Sequence, residues 1–247
     1  MTLLELRGYA ALVLLPAAAF GQAHEWGYEK SDGPAKWATL NPEYAICGSG
    51  KEQSPVNIQG AKSIDLPPIE VHYHPAPLKV IDNGHTIQVD YAPGSTMNVG
   101  GKTYELQQFH FHHPAENRLM GKSFPMEVHL VHKDPEGHIA VIGVFIKIGA
   151  DNPVVHQEFA NLPQEKGTEI NVANITVDAT ALLPANRGYI TFPGSLTTPP
   201  CSEHITWFVM KEPMTVTQEE FAAFAKRYPR DARPVQPLNG RPVQASK

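Results

Sequence analysis

The segment QQFHFHHP, residues 107–114, decides the architecture. Phe109 and Phe111 alternate with His110 and His112, the period-two pattern of a β-strand on which successive side chains point to opposite faces. The two phenylalanines belong to one layer, and the two imidazoles stand together on the other. Gln108 shares the histidine face, where its amide oxygen can accept a proton from a ring nitrogen. His113 takes the odd position and is expected to face away from the pair.

The same alternation recurs outward from this segment. In MEVHLVHK, residues 126–133, Glu127 and His129 fall on one face and His132 on the other. Further β-rich runs bounded by turn residues are LKVIDN at 78–83, GHTIQVDYAPG at 84–94, TMNVGGKTYELQ at 96–107, GYITFPGS at 188–195 and HITWFVMKE at 204–212. Residues 140–148 are almost wholly apolar, which suits a central strand covered on both faces. Two helices are expected, over 153–161 and 217–228, the second N-capped by Thr217 with Glu220 three residues on. The reading is a mainly β (α+β) chain: one domain with a large, twisted, mostly antiparallel central sheet and a few short peripheral helices.

Composition agrees. Of 247 residues, 42% are hydrophobic and 18% charged, which excludes a disordered chain, and 19 Gly with 23 Pro interrupt it too often for a helical bundle. A formal net charge of -5 leaves no basic excess to neutralise phosphates, so a nucleic-acid partner is not expected. The run YAALVLLPAAAF at 9–20 is too short to span a bilayer, and Gly21-Gln22-Ala23 follows as a small-x-small cleavage site. Residues 1–23 therefore read as a signal peptide and 24–247 as the mature domain, periplasmic or secreted, with no membrane attachment after cleavage. In an oxidising compartment Cys47 and Cys201 form the one available pair, and a disulfide is expected; a buried thiol or a thiolate metal ligand are the alternatives.

Neutral imidazoles bind zinc when a carboxylate or amide on the far ring nitrogen holds their tautomer. His110, His112 and His129, with Gln108 and Glu127 on matching faces, supply both components. A bare His-x-His pair is weak evidence by itself. His72 and His74 form another, but Pro75 and Pro77 follow it and no comparable partners are apparent, so these two read as surface residues.

Several stretches together carry a family likeness: Trp26-Gly27-Tyr28, Gln53-Ser54-Pro55-Val56-Asn57-Ile58, QFHFH, EVHLVH and Gly194-Ser195-Leu196-Thr197-Thr198-Pro199-Pro200, on through Arg241. The chain resembles the alpha-class carbonic anhydrases of the bacterial, exported kind over almost all of its mature length. The resemblance implies reversible hydration of CO2 to bicarbonate and a proton by zinc-bound hydroxide. His110, His112 and His129 are then the Zn2+ ligands, Thr197 with Glu116 orients the hydroxide, and His85 shuttles the proton. It also implies a proton path ordered by Tyr28, Asn83 and Gln88. The apolar side of the substrate pocket is made by Val131, Val141, Leu196, Ile205 and Trp207, with Thr198 beside them. Gln108 and Glu127 support the ligands, and the 239–241 stretch supplies a backbone carbonyl for His112, assigned to Gly240. His204, next to Ile205, is expected near the pocket wall. The partner implied is a small molecule, and exported members suggest a homodimer. Two other classes stand beside this one. A non-catalytic binder of a partner or metal would be expected to lack a ligand histidine, and a zinc hydrolase of larger substrates would be expected to carry a HExxH signature.

Overall fold

The alternating segments become neighbouring strands of one sheet. The computed structural model describes residues 26–247, so the signal peptide expected over 1–23 lies outside the described residues. The strands that position the site are β1 (Ala76–Asp82), β2 (Ile87–Asp90), β3 (Lys102–His112), β4 (Met126–Lys133) and β5 (Ile139–Ile148). They are followed by β6 (Thr168–Val177), β7 (Tyr189–Gly194), β8 (Ile205–Met210) and β9 (Gln244–Ser246). Across the 13-stranded sheet the order is β6-β1-β2-β3-β4-β5-β8-β7-β9, closed at one edge by residues Lys62–Ile64. Neighbours on this path pair antiparallel except β5 with β8 and β9 with Lys62–Ile64, so the sheet is mixed but mostly antiparallel.

Register converts the sequence pattern into two layers. His110 lies directly across from His129, and His129 across from Gly143 on β5. Phe109 and Phe111 turn to the other face, fully buried in the larger core with Leu130, Ile142 and Val144. Each such side chain contributes on the order of 1.5–3 kcal/mol by leaving water. The histidine face of β5 carries Val141 and Phe145, which pack with Ile205 and Trp207 in a second, smaller core. This is why β5 reads as apolar on both faces: it is covered on both.

Two helices flank the larger core. Helix α1 (Pro153–Phe159) starts at Asn152, whose side chain accepts from the N–H groups of Val154 and Val155. Helix α2 (Gln218–Arg227) starts in a full capping box between Thr217 and Glu220. Phe159 and Phe224 carry the two helices into contact with Phe111. Cys47 and Cys201 are joined as expected, 154 residues apart, and pack with Trp37. In the chain-entropy view a loop that long stabilises by about 5 kcal/mol. No described helix is long and apolar enough to cross a membrane.

Candidate metal centre

The centre is assembled from β3 and β4. His110, His112 and His129 each offer a ring nitrogen, and these lie within 4.8 Å of one another. Two of the three rings have the other nitrogen hydrogen-bonded, and the third holds its own beside a carboxylate. His110 Nδ1 meets Gln108 Oε1 at 2.8 Å, His112 Nδ1 meets the Asp231 carbonyl at 2.7 Å, and His129 Nε2 lies 3.3 Å from Glu127 Oε1. The nitrogens left to converge are therefore Nε2 of His110, Nε2 of His112 and Nδ1 of His129.

The electrostatics favour neutral rings at His110 and His112. Burial, reinforced by His112 and His129, pushes the His110 pKa well below its ordinary value, and burial takes His112 down to about 4 despite the Asp231 carbonyl and Glu127. Burial alone would raise Glu127, but His129 and two hydrogen bonds from Asn117 outweigh it and hold the carboxylate below its ordinary range. Those bonds run from the Asn117 backbone N–H and Nδ2 to Oε2 and Oε1, each 2.8 Å. His112 Nε2 is buried with no hydrogen-bond partner, and so is Glu116 Oε2, 3.5 Å from it. A buried polar atom without a partner costs about 1–3 kcal/mol, and here two such atoms lie 3.5 Å apart. Three imidazoles, two with the far nitrogen hydrogen-bonded and the third with it beside Glu127, form around orphaned atoms a donor set that fits a tetrahedral divalent ion such as zinc with one position left over.

Glu116 and Thr197 come together beside this point. Glu116 Oε1 accepts the Arg233 N–H at 2.8 Å. Burial pushes its pKa up to about 7, against His129, the Thr197 hydroxyl and the Arg233 N–H, which draw it down. Val131, Val141, Leu196, Ile205 and Trp207 all belong to the smaller core, and the Trp207 ring stands edge-on to His129 at 4.8 Å. Thr198 is half-buried in the same loop, where its carbonyl accepts from the Cys201 N–H.

His85 sits in the β1–β2 turn, its N–H bonded to Asn83 Oδ1 and its ring stacked on Trp26 at 3.7 Å. With Tyr28 it lines a cavity of about 290 Å³. Gln88 lies directly across from His110, and hydrogen bonds run from Asn83 to Gln88 and from Gln88 to Asp90. A polar line thus leads from the His85 turn to the strand position facing a histidine of the cluster.

Histidines outside the cluster fall as alternation requires. His113 turns away, its Nδ1 at 2.8 Å from the Pro125 carbonyl, and His132 is buried in the opposite layer against the Tyr73 hydroxyl at 2.6 Å. His72 and His74 are exposed. His204 departs from its expected place at the pocket wall: its backbone is left-handed (φ 66°) and its side chain, 88% exposed, turns outward to Glu52.

Gly240 requires a correction. The carbonyl on His112 belongs to Asp231, not to the 239–241 stretch. Two hydrogen bonds, Asp231 N–H to the His113 carbonyl and His113 N–H to Asp231 Oδ1, hold the chain leaving α2 alongside the end of β3. By Gly240 the chain has moved on, and Arg241 there ties together the carbonyls of Gln53, Pro193 and Pro237. Sequence reasoning also missed Asn117, Arg233 and Gly143. A Cβ at Gly143 would sit 2.9 Å from Glu127 Oε1, so this glycine leaves room for the carboxylate. Its signal was available: it is the one glycine within an otherwise apolar strand.

Comparison with known proteins agrees with this geometry. The eukaryotic-type carbonic anhydrase family matches residues 32–247. A carbonic anhydrase of a Nostoc species is 41% identical, over 95% of this chain and 90% of its own. One from Neisseria gonorrhoeae is 42% identical, over 94% and 92%. The solved alpha-carbonic anhydrase of Thermovibrio ammonificans, in complex with the inhibitor sulfanilamide, superposes with a TM-score of 0.87 at 43% identity, covering 92% of this chain and all of that one.

Proposed function

The chain belongs to the eukaryotic-type, or alpha, carbonic anhydrase family, and on that premise we propose that His110, His112 and His129 hold Zn2+ for the reversible hydration of CO2. The observation that carries this reading is the set of three converging imidazoles, two with the far nitrogen hydrogen-bonded and the third with it 3.3 Å from Glu127. Zinc, when bound, supplies a Lewis acid that makes a nucleophilic oxygen available from water at neutral pH, the chemistry for which carbonic anhydrases are the standard example.

The protein's own residues do the rest. Gln108, the Asp231 carbonyl and Glu127 keep the three rings in the binding tautomer, so no reorganisation is needed when metal enters. A Thr197 hydroxyl that gives its proton to Glu116 is left as an acceptor, and it selects a substrate or product oxygen that can donate to it. Bicarbonate satisfies that filter through its own O–H. The apolar wall of Val131, Val141, Leu196, Ile205 and Trp207, with Thr198 at its edge, receives CO2, which needs no hydrogen bonds. Hydration releases a proton, and His85, whose residue type titrates near neutrality, takes it over waters ordered by Tyr28, Asn83 and Gln88. Residues 1–23 act as the export signal of a domain spanning 24–247, in keeping with a disulfide that needs an oxidising periplasm or exterior.

The test is stopped-flow CO2 hydration with zinc quantified on the same sample and His129→Ala alongside. Zinc near one per chain with fast hydration, both lost in the variant, is the expected result. Bound zinc without hydration would overturn it.

A further inference from the structure

Among the described residues, acid and imidazole side chains converge at two places outside the histidine cluster. One is Asp134, Glu136 and His138 in the β4–β5 turn, and the other is Asp151, His156 and Glu220 where α1 meets the start of α2. In the first, Asp134 is satisfied from within: its two oxygens accept the His138 backbone N–H at 2.7 Å and the His138 ring nitrogen at 2.8 Å.

The second is not satisfied. Glu220 Oε2 accepts the Thr217 N–H at 2.7 Å in the capping box, but Oε1 is buried with no hydrogen-bond partner, on a side chain only 7% exposed. That oxygen points at His156 Nδ1, 3.7 Å away, and Asp151 Oδ1 approaches the same nitrogen at 3.1 Å. Two carboxylates from different segments thus share one imidazole, whose single nitrogen cannot serve both as donor at full strength. A cation between them would give Glu220 Oε1 the partner it lacks. His156 and Asp151 are 60% and 55% exposed, which leaves an open route from solution.

We propose that Asp151, His156 and Glu220 form a second divalent-cation site, distinct from the three-histidine centre. One imidazole nitrogen and two carboxylate oxygens suit a first-row ion such as Mn2+ or Zn2+ better than the all-oxygen sites that Ca2+ and Mg2+ prefer. The ion would tie the entry of α1 to the first turn of α2. At its far end α2 runs into Arg227 and Tyr228, both bonded to Asp82, and then into the Asp231 carbonyl on His112. Occupancy is therefore expected to raise the melting temperature.

The experiment titrates Mn2+ by calorimetry into the full chain brought to one zinc per chain, with zinc measured again afterwards. The expected result is one further equivalent of Mn2+ and a higher Tm with zinc unchanged, both effects lost in His156→Ala and in Glu220→Gln and kept in His138→Ala. Glutamine at 220 still offers an oxygen to the Thr217 N–H, so the cap survives while the charge is gone. Asp151→Asn, at an exposed loop position, serves as a further ligand variant should Glu220→Gln not fold. No binding by the unsubstituted protein, binding unchanged in the ligand variants, or binding lost in His138→Ala would each overturn the proposal.

Discussion

Two pairs of histidines in this chain have the same spacing and opposite fates. His72 and His74 flank Tyr73 just as His110 and His112 flank Phe111, and in both the aromatic between them is buried. His72 ends a short strand, Glu70–His72, that among the described residues pairs with Thr96–Val99 alone, and both imidazoles of this pair face solvent. His110 and His112 lie mid-sheet, with β4 bringing His129 directly opposite and Gln108, Glu127 and the Asp231 carbonyl taking the far nitrogens. Spacing puts two imidazoles on one face. A third imidazole across the ladder and a polar partner behind each ring are what set that face apart.

The largest effect should come from breaking the inner group. His129→Ala is expected to lose bound zinc and CO2 hydration together, measured by metal analysis and stopped flow, because two imidazoles cannot fill a three-ligand site. Next, His85→Ala should slow turnover about a hundredfold in dilute buffer, within the usual range for a positioned proton-transfer group, and recover with added imidazole at unchanged zinc content. Wild-type turnover in dilute buffer would remove His85 from the proton path.

Burial also makes the inner pair sensitive to acid once metal is removed. His112 falls from an ordinary value near 6.5 in the unfolded chain to about 4 when folded, so the unfolded state binds more protons between those values. Its contribution to stability is fully present above about pH 6.5 and lost as pH falls through 4, about 3 kcal/mol in all. Urea denaturation of the metal-free protein between pH 7 and 4 should therefore be less pH-dependent in His112→Gln by roughly that amount. Gly143→Ala should cost about 1–3 kcal/mol in thermal denaturation by driving a Cβ against Glu127, with weaker zinc retention. The smallest effect belongs to the outer pair. His72→Ala and His74→Ala should change stability by no more than about 0.5 kcal/mol and leave zinc content alone. Loss of zinc in either would dissolve the contrast.

Most of the strands, and helices α1 and α2, were legible because local period and caps announced them: the alternation at 107–113, the apolar run at 140–148 and the Thr217/Glu220 box; Thr168–Val177, whose register shift interrupts its alternation, and the three-residue Gln244–Ser246 were not. The shared face of His110 and His112 with Gln108, and of His129 with Glu127, was legible for the same reason, since face assignment needs only parity along a strand. Asp231 was not. Its contribution is a backbone carbonyl, which every residue has, delivered from 119 positions away by the path of the chain after α2. His204 misled for a related reason: adjacency to Ile205 on a strand suggested the pocket wall, whereas a left-handed backbone turns the side chain out.

By itself the sequence determined which side chains share a face in the central strands, where most of the strands run, where helices α1 and α2 begin and which cysteines can pair. These follow from interactions between near neighbours, from alternation and capping, and from the count of cysteines. Only the tertiary structure decided that β3 and β4 align His110 with His129, that Asn117 braces Glu127, and that Gly143 leaves that carboxylate its space. Register, burial and the route of the returning chain depend on packing the whole sheet, and no local pattern records them.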